Sequence, residues 1–501
     1  MSETSPPPES KAPQLALGSG EKPTTRKMWA WALWDVGTQP FYSVITTFVF
    51  ATYIVSAAFA LPDQPNGPTQ ALTISTTIGA VFIALLAPIT GQTSDRTGKT
   101  VRNLKYLTWA LAIVSMCLVF TSPGPEWLWF GLILLAGGTV LGEIAWVNYN
   151  ALIERVATPK NIGKVSGFGW GMGYVGGICM LFLTLVLFVN PDVGIFGLTD
   201  CADSSGAWVS CNAEDGTSLI GVTEGLTYTA LKLRVAMVAV GLWNLIWTAP
   251  IFISMKDKAP EENIEKLGVI GSYKALFQTI AKLWRTQRHV AYFLLASALF
   301  RDGLAGIFAF GAVVAAVSFG FSTPTIILFG MAANVVAGVA TMLFGILDDR
   351  IGPKTVILIA LAVLVITSVL VFVLHDPAYA IPAGAPGYDQ AKVEAGQAVF
   401  WVVGLLMSAC VGPAQSASRS FLARIIPEGQ SGEIFGLYTT TGRVISFLSP
   451  LLFGAFVTLG VAVMGADQSV QHWGYIGLAI CLAAGFAVLI PVKAKPEVME
   501  T

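Results

Sequence analysis

Five ionisable side chains sit inside stretches that are otherwise apolar: Asp35 in "WALWDVGTQP", Glu143, the adjacent pair Arg301 and Asp302 in "ALFRDG", and Arg443. Asn148, Asn150, Asn244, Asn334 and Gln415 are their uncharged companions. A charge at the centre of a bilayer costs about 2.5–3.5 kcal/mol on insertion scales, so such residues usually face a cavity or a partner. A carboxylate in a low-dielectric cavity favours its protonated form, and one beside an arginine favours its charged form. An acid that alternates between these settings takes up a proton on one side and releases it on the other. Asp35 or Asp302 is therefore a candidate coupling acid, with Arg301 or Arg443 as its partner; the static alternative is an ion pair that pins helices. Glu143 is expected to snorkel or to pair with a basic loop residue, with solute contact as the alternative. Trp34 either faces the cavity beside Asp35 or, with Trp29, Trp31, Trp127, Trp129 and Trp473, anchors a helix at the membrane interface.

These residues need a membrane-spanning frame, and the composition supplies one. The 501 residues are 54% hydrophobic and only 12% charged, against about 25% charged in soluble domains. A net charge of −1 argues against a nucleic-acid partner. Twelve apolar runs near 20 residues long predict an all-α polytopic membrane protein. They lie near 30–58, 71–90, 103–121, 127–148, 166–190, 231–254, 290–320, 324–346, 355–374, 397–417, 433–461 and 473–492. A helix rise of about 1.5 Å per residue carries Asp302 about 20 Å and Arg443 about 15 Å from the nearer helix end, with Asp35 shallower.

Residues 1–28 are rich in Pro, Ser and Lys and are expected to be disordered. The first apolar run is too long for a signal peptide and reads as a retained helix. All but five of the 29 Lys and Arg residues fall in the termini and in loops on one side; the five are Lys232, Arg234, Arg301, Lys392 and Arg443. The positive-inside rule then places both termini in the cytoplasm. In the segment 255–289, "GSYKALFQTIAKLWRTQRH" sets Leu276, Phe277, Ile280, Leu283 and Trp284 at helical spacing among basic residues. That pattern predicts an amphipathic helix, lying on the inner membrane face or packed across the bundle ends.

The chain also repeats itself. Gly91, Asp95, Arg96 and Gly98 of "GQTSDRTGK", which ends at Lys99, map onto Gly345, Asp349, Arg350 and Gly352 of "GILDDRIGPK" at an offset of 254 residues. Gly163, Gly167 and Gly173 map onto Gly432, Gly436 and Gly442 at an offset of 269. Two six-helix halves in the same orientation follow, 29–254 and 290–493, with a tail at 494–501. Such parallel repeats are a transporter architecture with the solute site between the halves. The D-R-x-G loops would act as cytoplasmic latches, a charged pair bridging helix ends and glycine permitting a tight turn; the alternative is a plain structural turn.

"GQTSDRTGK" resembles the signature loop of the major facilitator superfamily. "WALWDVGTQPF", "YNALIERVATPKNIGKVSGFGWGMGYVGG" and "SRSFLARIIPEGQSGEIFGLYTTTGRVISFLSPLLFG" are similar to the branch containing vacuolar amino-acid effluxers of autophagy (autophagy-related protein 22-like) and their bacterial relatives. The resemblance implies a secondary transporter working by alternating access, with amino acids as the implied solutes. It departs after Asp35, where Val36-Gly37-Thr38 replaces the branch's usual Ala-Asn-containing run.

Other classes find less support. No G-x-x-x-x-G-K-[ST] loop occurs, and three histidines form no H-E-x-x-H or Cys/His pair, so neither ATP drive, an enzyme, a cofactor nor a metal site is expected. A multidrug or other metabolite exporter of the same fold, or a non-transporting sensor or scaffold, are the alternatives. The partners expected are a small-molecule solute, the lipid bilayer and a coupling proton, for a monomer in the cell membrane if the source is bacterial. Cys201 and Cys211 share an outer loop, where they are either bridged or free. The other four cysteines read as packing residues.

Overall fold

The computed structural model describes residues 17, 23–55, 59, 67–189, 198–202, 208–212, 228–257, 269–381, 385–427, 430–465 and 470–493. The tail and most of the N-terminal segment expected to be disordered lie outside the described residues.

The architecture is two bundles of long helices. The first holds α1 (Thr25–Pro40), α2 (Phe50–Ile54), α3 (Gly67–Thr97), α4 (Thr100–Cys117), α5 (Leu128–Ala151), α6 (Ile162–Thr184) and α7 (Tyr228–Ser254). The connecting helix is α8 (Val269–Thr286). The second holds α9 (Arg288–Phe319), α10 (Thr323–Ile351), α11 (Pro353–Val373), α12 (Gln390–Ile425), α13 (Ser431–Ile445), α14 (Leu448–Met464) and α15 (Gly474–Leu489). Eleven described helical stretches are long and apolar enough to cross a membrane. The expected first span is the exception, because it is not one α-helix.

Pro40 explains why. It has no N–H to offer the carbonyl of Val36, and a π-helical stretch, Phe41–Phe48, separates α1 from α2. The freed Val36 carbonyl accepts instead from the indole N–H of Trp243 on α7, at 2.9 Å. The expected eleventh span breaks similarly, after Ile445, with Pro450 in the first turn of α14. The orphan N–H of Ser449 donates to Asp302 Oδ2 at 2.6 Å, and the Ser449 hydroxyl donates to Asp302 Oδ1 at 3.0 Å. Asp302 thus serves as a cap for a half-helix.

Glycines let helices approach closely, both within the first bundle and between the two. On α6, Gly169 and Gly176 lie against Trp31 and Val36 of α1, while Gly163, Gly167 and Gly171 lie against Asp348, Gly345 and Met342 of α10. The repeat-related contact joins α3 to α13: a Cβ on Gly91 would stand 2.0 Å from the Gly432 carbonyl oxygen.

Helix α8 splits its apolar residues. Leu276 and Leu283 are buried, whereas Phe277, Ile280 and Trp284 are exposed. The Tyr273 hydroxyl donates to the Leu85 carbonyl at 3.2 Å and ties α8 to α3. In the segment between α6 and α7, β1 (Leu198–Ala202) pairs antiparallel with β2 (Trp208–Asn212). The register sets Cys201 opposite Val209 and Cys211 opposite Thr199, so the two cysteines are diagonal, not facing. Their side chains lie outside the described residues.

Candidate functional site

Helix α1 places Asp35 about 15 Å from its start, by helix rise, and an aromatic stack fixes what Asp35 meets. Tyr149 of α5 lies between Trp31 and Trp34, with ring centroids 4.5 and 4.2 Å away and planes within 9° and 20° of its own. Trp31 Nε1 donates to the Tyr149 carbonyl at 3.1 Å, and Trp34 Nε1 donates to Thr108 Oγ1 at 3.0 Å. Each stacked pair contributes about 0.5–1.5 kcal/mol beyond the area it buries. So held, the Tyr149 hydroxyl donates to Asp35 Oδ2 at 2.7 Å. Trp31 and Trp34 are fully buried and are not interfacial anchors; Trp29 and Trp129, about half exposed, fit that role.

The partner of Asp35 comes from the other bundle. Arg419 of α12 is completely buried, and its Nη1 stands 3.8 Å from Asp35 Oδ2. Its Nε donates to Ser166 Oγ at 3.0 Å, its Nη2 to the Ser166 carbonyl at 2.6 Å, and its Nη1 to Asn150 Oδ1 at 3.3 Å. The guanidinium carbon also sits 4.8 Å from the Trp31 ring centroid and 5.2 Å from that of Trp170. Asn150 and Arg419 are 269 residues apart, the offset of the second repeat, so positions related by the duplication touch each other where the bundles meet. The sequence reading placed Arg419 in a loop and paired Asp35 or Asp302 with Arg301 or Arg443. The structure corrects both, because α12 runs unbroken to Ile425 and carries Arg419 inside.

Nearer the helix ends the two repeat loops close on the opposite bundle. Asp95 accepts from the backbone N–H groups of Gly432 and Glu433, both at 2.9 Å, in the first turn of α13. Asp349 accepts from those of Gly163 and Lys164, both at 2.8 Å, in the first turn of α6. Each carboxylate meets orphan donors and the positive end of a helix dipole. The expected charged pair is not the latch: Arg96 and Arg350 are exposed, and the aspartates act through backbone N–H groups. Gly98 and Gly352 take positive φ angles of 65° and 86°, as tight turns require; Lys99 directly precedes α4. Arg424 reinforces one latch, donating to Asp349 at 3.0 Å, to Asp348 at 3.3 Å and to the Pro159 carbonyl at 3.1 Å. Gln92 donates to Glu433 at 2.9 Å, and Ser431 to Glu154 at 2.5 Å.

The other embedded residues divide. Glu143 neither snorkels nor meets a loop: Arg443 Nη2 stands 2.5 Å from its Oε1 across the bundles. Asp302 is held by Ser449 and meets no arginine among the described residues. Arg301 lies over the Tyr438 ring at 3.9 Å and donates to the Tyr438 carbonyl at 3.0 Å. Asn148 accepts from Ser94 at 2.6 Å, inside the first bundle. Asn334 donates to the Gly330 carbonyl of its own helix, Asn244 is buried, and Gln415 is half-buried on α12. Lys392 lies in the first turn of α12. The bonds made by Asp95, Asp349, Gln92 and Ser431 lie at the ends of α3, α6, α10 and α13 that carry the repeat loops, whereas the Glu143–Arg443 pair lies at the other end of α13.

The sequence reading missed Arg419, Tyr149, Asp348 and Arg424. Pro427 is the first helix-stopping residue after the tenth apolar run, and extending the helix to it would have put Arg419 inside. Tyr149 carried no such signal, being an aromatic just past the end of an apolar run.

Residues 217–492, more than half of the chain, match the family described as vacuole effluxer Atg22 like, and residues 3–180 match the major facilitator superfamily. The chain is 24% identical over 480 residues to the uncharacterized MFS-type transporter YxiO of Bacillus subtilis, covering 95% of this chain and 97% of that one. It is 21% identical over 287 residues to autophagy-related protein 22 of Coccidioides immitis, covering 54% of this chain and 45% of that relative. Among solved structures, the proton:xylose symporter XylE superposes with a TM-score of 0.63 at 13% identity, covering 94% and 97% of the two chains. A bacterial homologue of the iron transporter ferroportin, in an outward-facing state, does so with a TM-score of 0.59 at 16% identity, covering 93% and 98%. At those identities the structures show the fold alone. With two helical bundles, reciprocal loop contacts and the family match in agreement, the chain belongs to the Atg22-like family of the major facilitator superfamily and is an integral membrane protein of that transporter fold.

Proposed function

We propose that this chain is a secondary transporter that moves a small polar solute, with amino acids as the leading class, by alternating access coupled to a proton at Asp35. The observation that carries this reading is Arg419, an arginine of one bundle buried completely inside the other beside Asp35. Rocking the bundles apart must withdraw Arg419 from its cage. Leaving a buried charge unpaired costs about 3–5 kcal/mol, so withdrawal needs a compensating event. Protonation of Asp35 is such an event, because a neutral acid no longer holds the guanidinium. The embedded position of the acid and the efflux named in the family description support the same reading.

Purified protein in proteoliposomes tests it. Accumulation of a labelled amino acid should follow an imposed pH gradient, and Asp35→Asn should abolish gradient-driven accumulation while leaving exchange of solute across the membrane. Accumulation that ignores the gradient, or persists in Asp35→Asn, removes the coupling. Absence of movement for every amino acid removes the solute class.

A further inference from the structure

We propose that Arg301 anchors a carboxylate of the transported solute, an inference that rests on the reading of the chain as a solute transporter. Among the described residues, three arginines lie well inside the membrane-spanning helices, away from their ends, and two are neutralised. Arg419 meets Asp35 and Arg443 meets Glu143. Arg301 meets no carboxylate among the described residues. Asp302, its neighbour in sequence, is turned about 100° around α9 and is buried, with Ser449 occupying both of its oxygens.

The position of Arg301 suits a solute. It lies thirteen residues past the start of α9, about 20 Å along the helix and close to the middle of the bilayer. It also adjoins the Glu143–Arg443 ion pair: a Cβ on Gly442 would stand 3.2 Å from Arg301 Nη1, and Arg443 is the next residue. Its side chain is partly exposed. A guanidinium facing hydrocarbon at that depth is penalised by about 2.5–3.5 kcal/mol, so its exposed edge is better matched to a polar solute than to lipid.

The remaining chemistry is that of an anion receptor. Of the five N–H donors of a guanidinium, one is committed to the Tyr438 carbonyl. The Tyr438 ring beneath fixes the plane of the group, 3.9 Å from its centroid. A planar fork held on one face with its other donors open matches the two oxygens of a carboxylate. Gly442, having no Cβ, lets the guanidinium lie close against α13.

The test is a thermal-shift titration of the full chain in detergent. The probes are the proteinogenic L-amino acids and the simple monocarboxylates pyruvate, lactate and benzoate, each set against its carboxamide. The expected result is that at least one acid stabilises the protein and its amide does not. Arg301→Gln should weaken that acid by about tenfold or more, the loss of a charge-assisted contact, and Arg301→Lys should restore part of it. An amide that binds as well as its acid overturns the proposal, a comparison made on the unaltered chain and so independent of whether variants fold. Arg301→Gln binding the acid like the parent also overturns it, as does failure of every carboxylate to bind. If monocarboxylates bind through Arg301 and amino acids do not, the carboxylate site stands and the amino-acid reading falls.

Discussion

Arg419 and Asp35 belong to different bundles, yet the arginine is wholly buried and its Nη1 lies 3.8 Å from the aspartate's Oδ2. Removing one partner of such a pair strands the other. Arg419→Gln should therefore destabilise the protein by about 3–5 kcal/mol and stop transport. Pairing it with Asp35→Asn should recover part of the stability, since neither charge is then stranded. Thermal unfolding of the two single variants and the double variant measures the coupling. Additive losses would mean that the two side chains do not hold one another.

The paired latches predict a shift in conformational equilibrium. Asp95→Asn and Asp349→Asn each weaken acceptors that serve two helix N–H groups, at about 1 kcal/mol per lost cap. Both favour separation of the bundles at this end. Thr440, whose hydroxyl donates to the Ala84 carbonyl across the bundles, is a reporter. A cysteine placed there should react severalfold faster with a maleimide in either aspartate variant than in the parent. An unchanged rate in both would show that the latches carry no closing energy.

The latches also show how far a sequence can be read. The duplication exposed Asp95, Asp349, Gly91 and Gly345, because a repeat needs only identity at a constant offset. What each aspartate meets was not legible, since the donors are backbone N–H groups some 190 to 340 residues away in the chain. Apolar periodicity located the spans and could not show Pro40 or Pro450 breaking two of them. Charge counting found Glu143 and Arg443 separately, and only the packing of α5 on α13 made them a pair. Arg419 was lost to a boundary: ending α12 eight residues early turned a cavity charge into a loop charge.

Close approach between the bundles makes glycine substitutions selective. Gly91→Ala sets a Cβ 2.0 Å from the Gly432 carbonyl oxygen, a backbone atom that cannot swing aside. It should abolish transport even where the protein still inserts. Gly137→Ala meets nothing within 4 Å; in a helix interior it should be neutral or stabilising by up to about 1 kcal/mol. Transport and unfolding temperature of the two variants, measured together, separate a packing requirement from a general intolerance of change at glycine. Equal transport in both would remove the close contact as a functional constraint.

At the opposite end of the second bundle, His375 follows α11 and stacks on His472, with ring centroids 3.6 Å apart and planes within 10°. Burial pushes the His375 pKa below its ordinary value of 6.5, against smaller opposing effects from the Asp376 carboxylate and the Ser318 backbone. Its Nε2 is buried without a hydrogen-bond partner among the described residues. A base whose folded-state pKa is lowered binds fewer protons folded than unfolded at pH values near and below 6.5. Stability therefore rises with pH across that window and is lost as pH falls through it. Between pH 7.5 and 5.5, the unfolding temperature of the parent should drop more than that of His375→Gln, which carries no titrating ring. Parallel curves for the two proteins would place the acid sensitivity on another group.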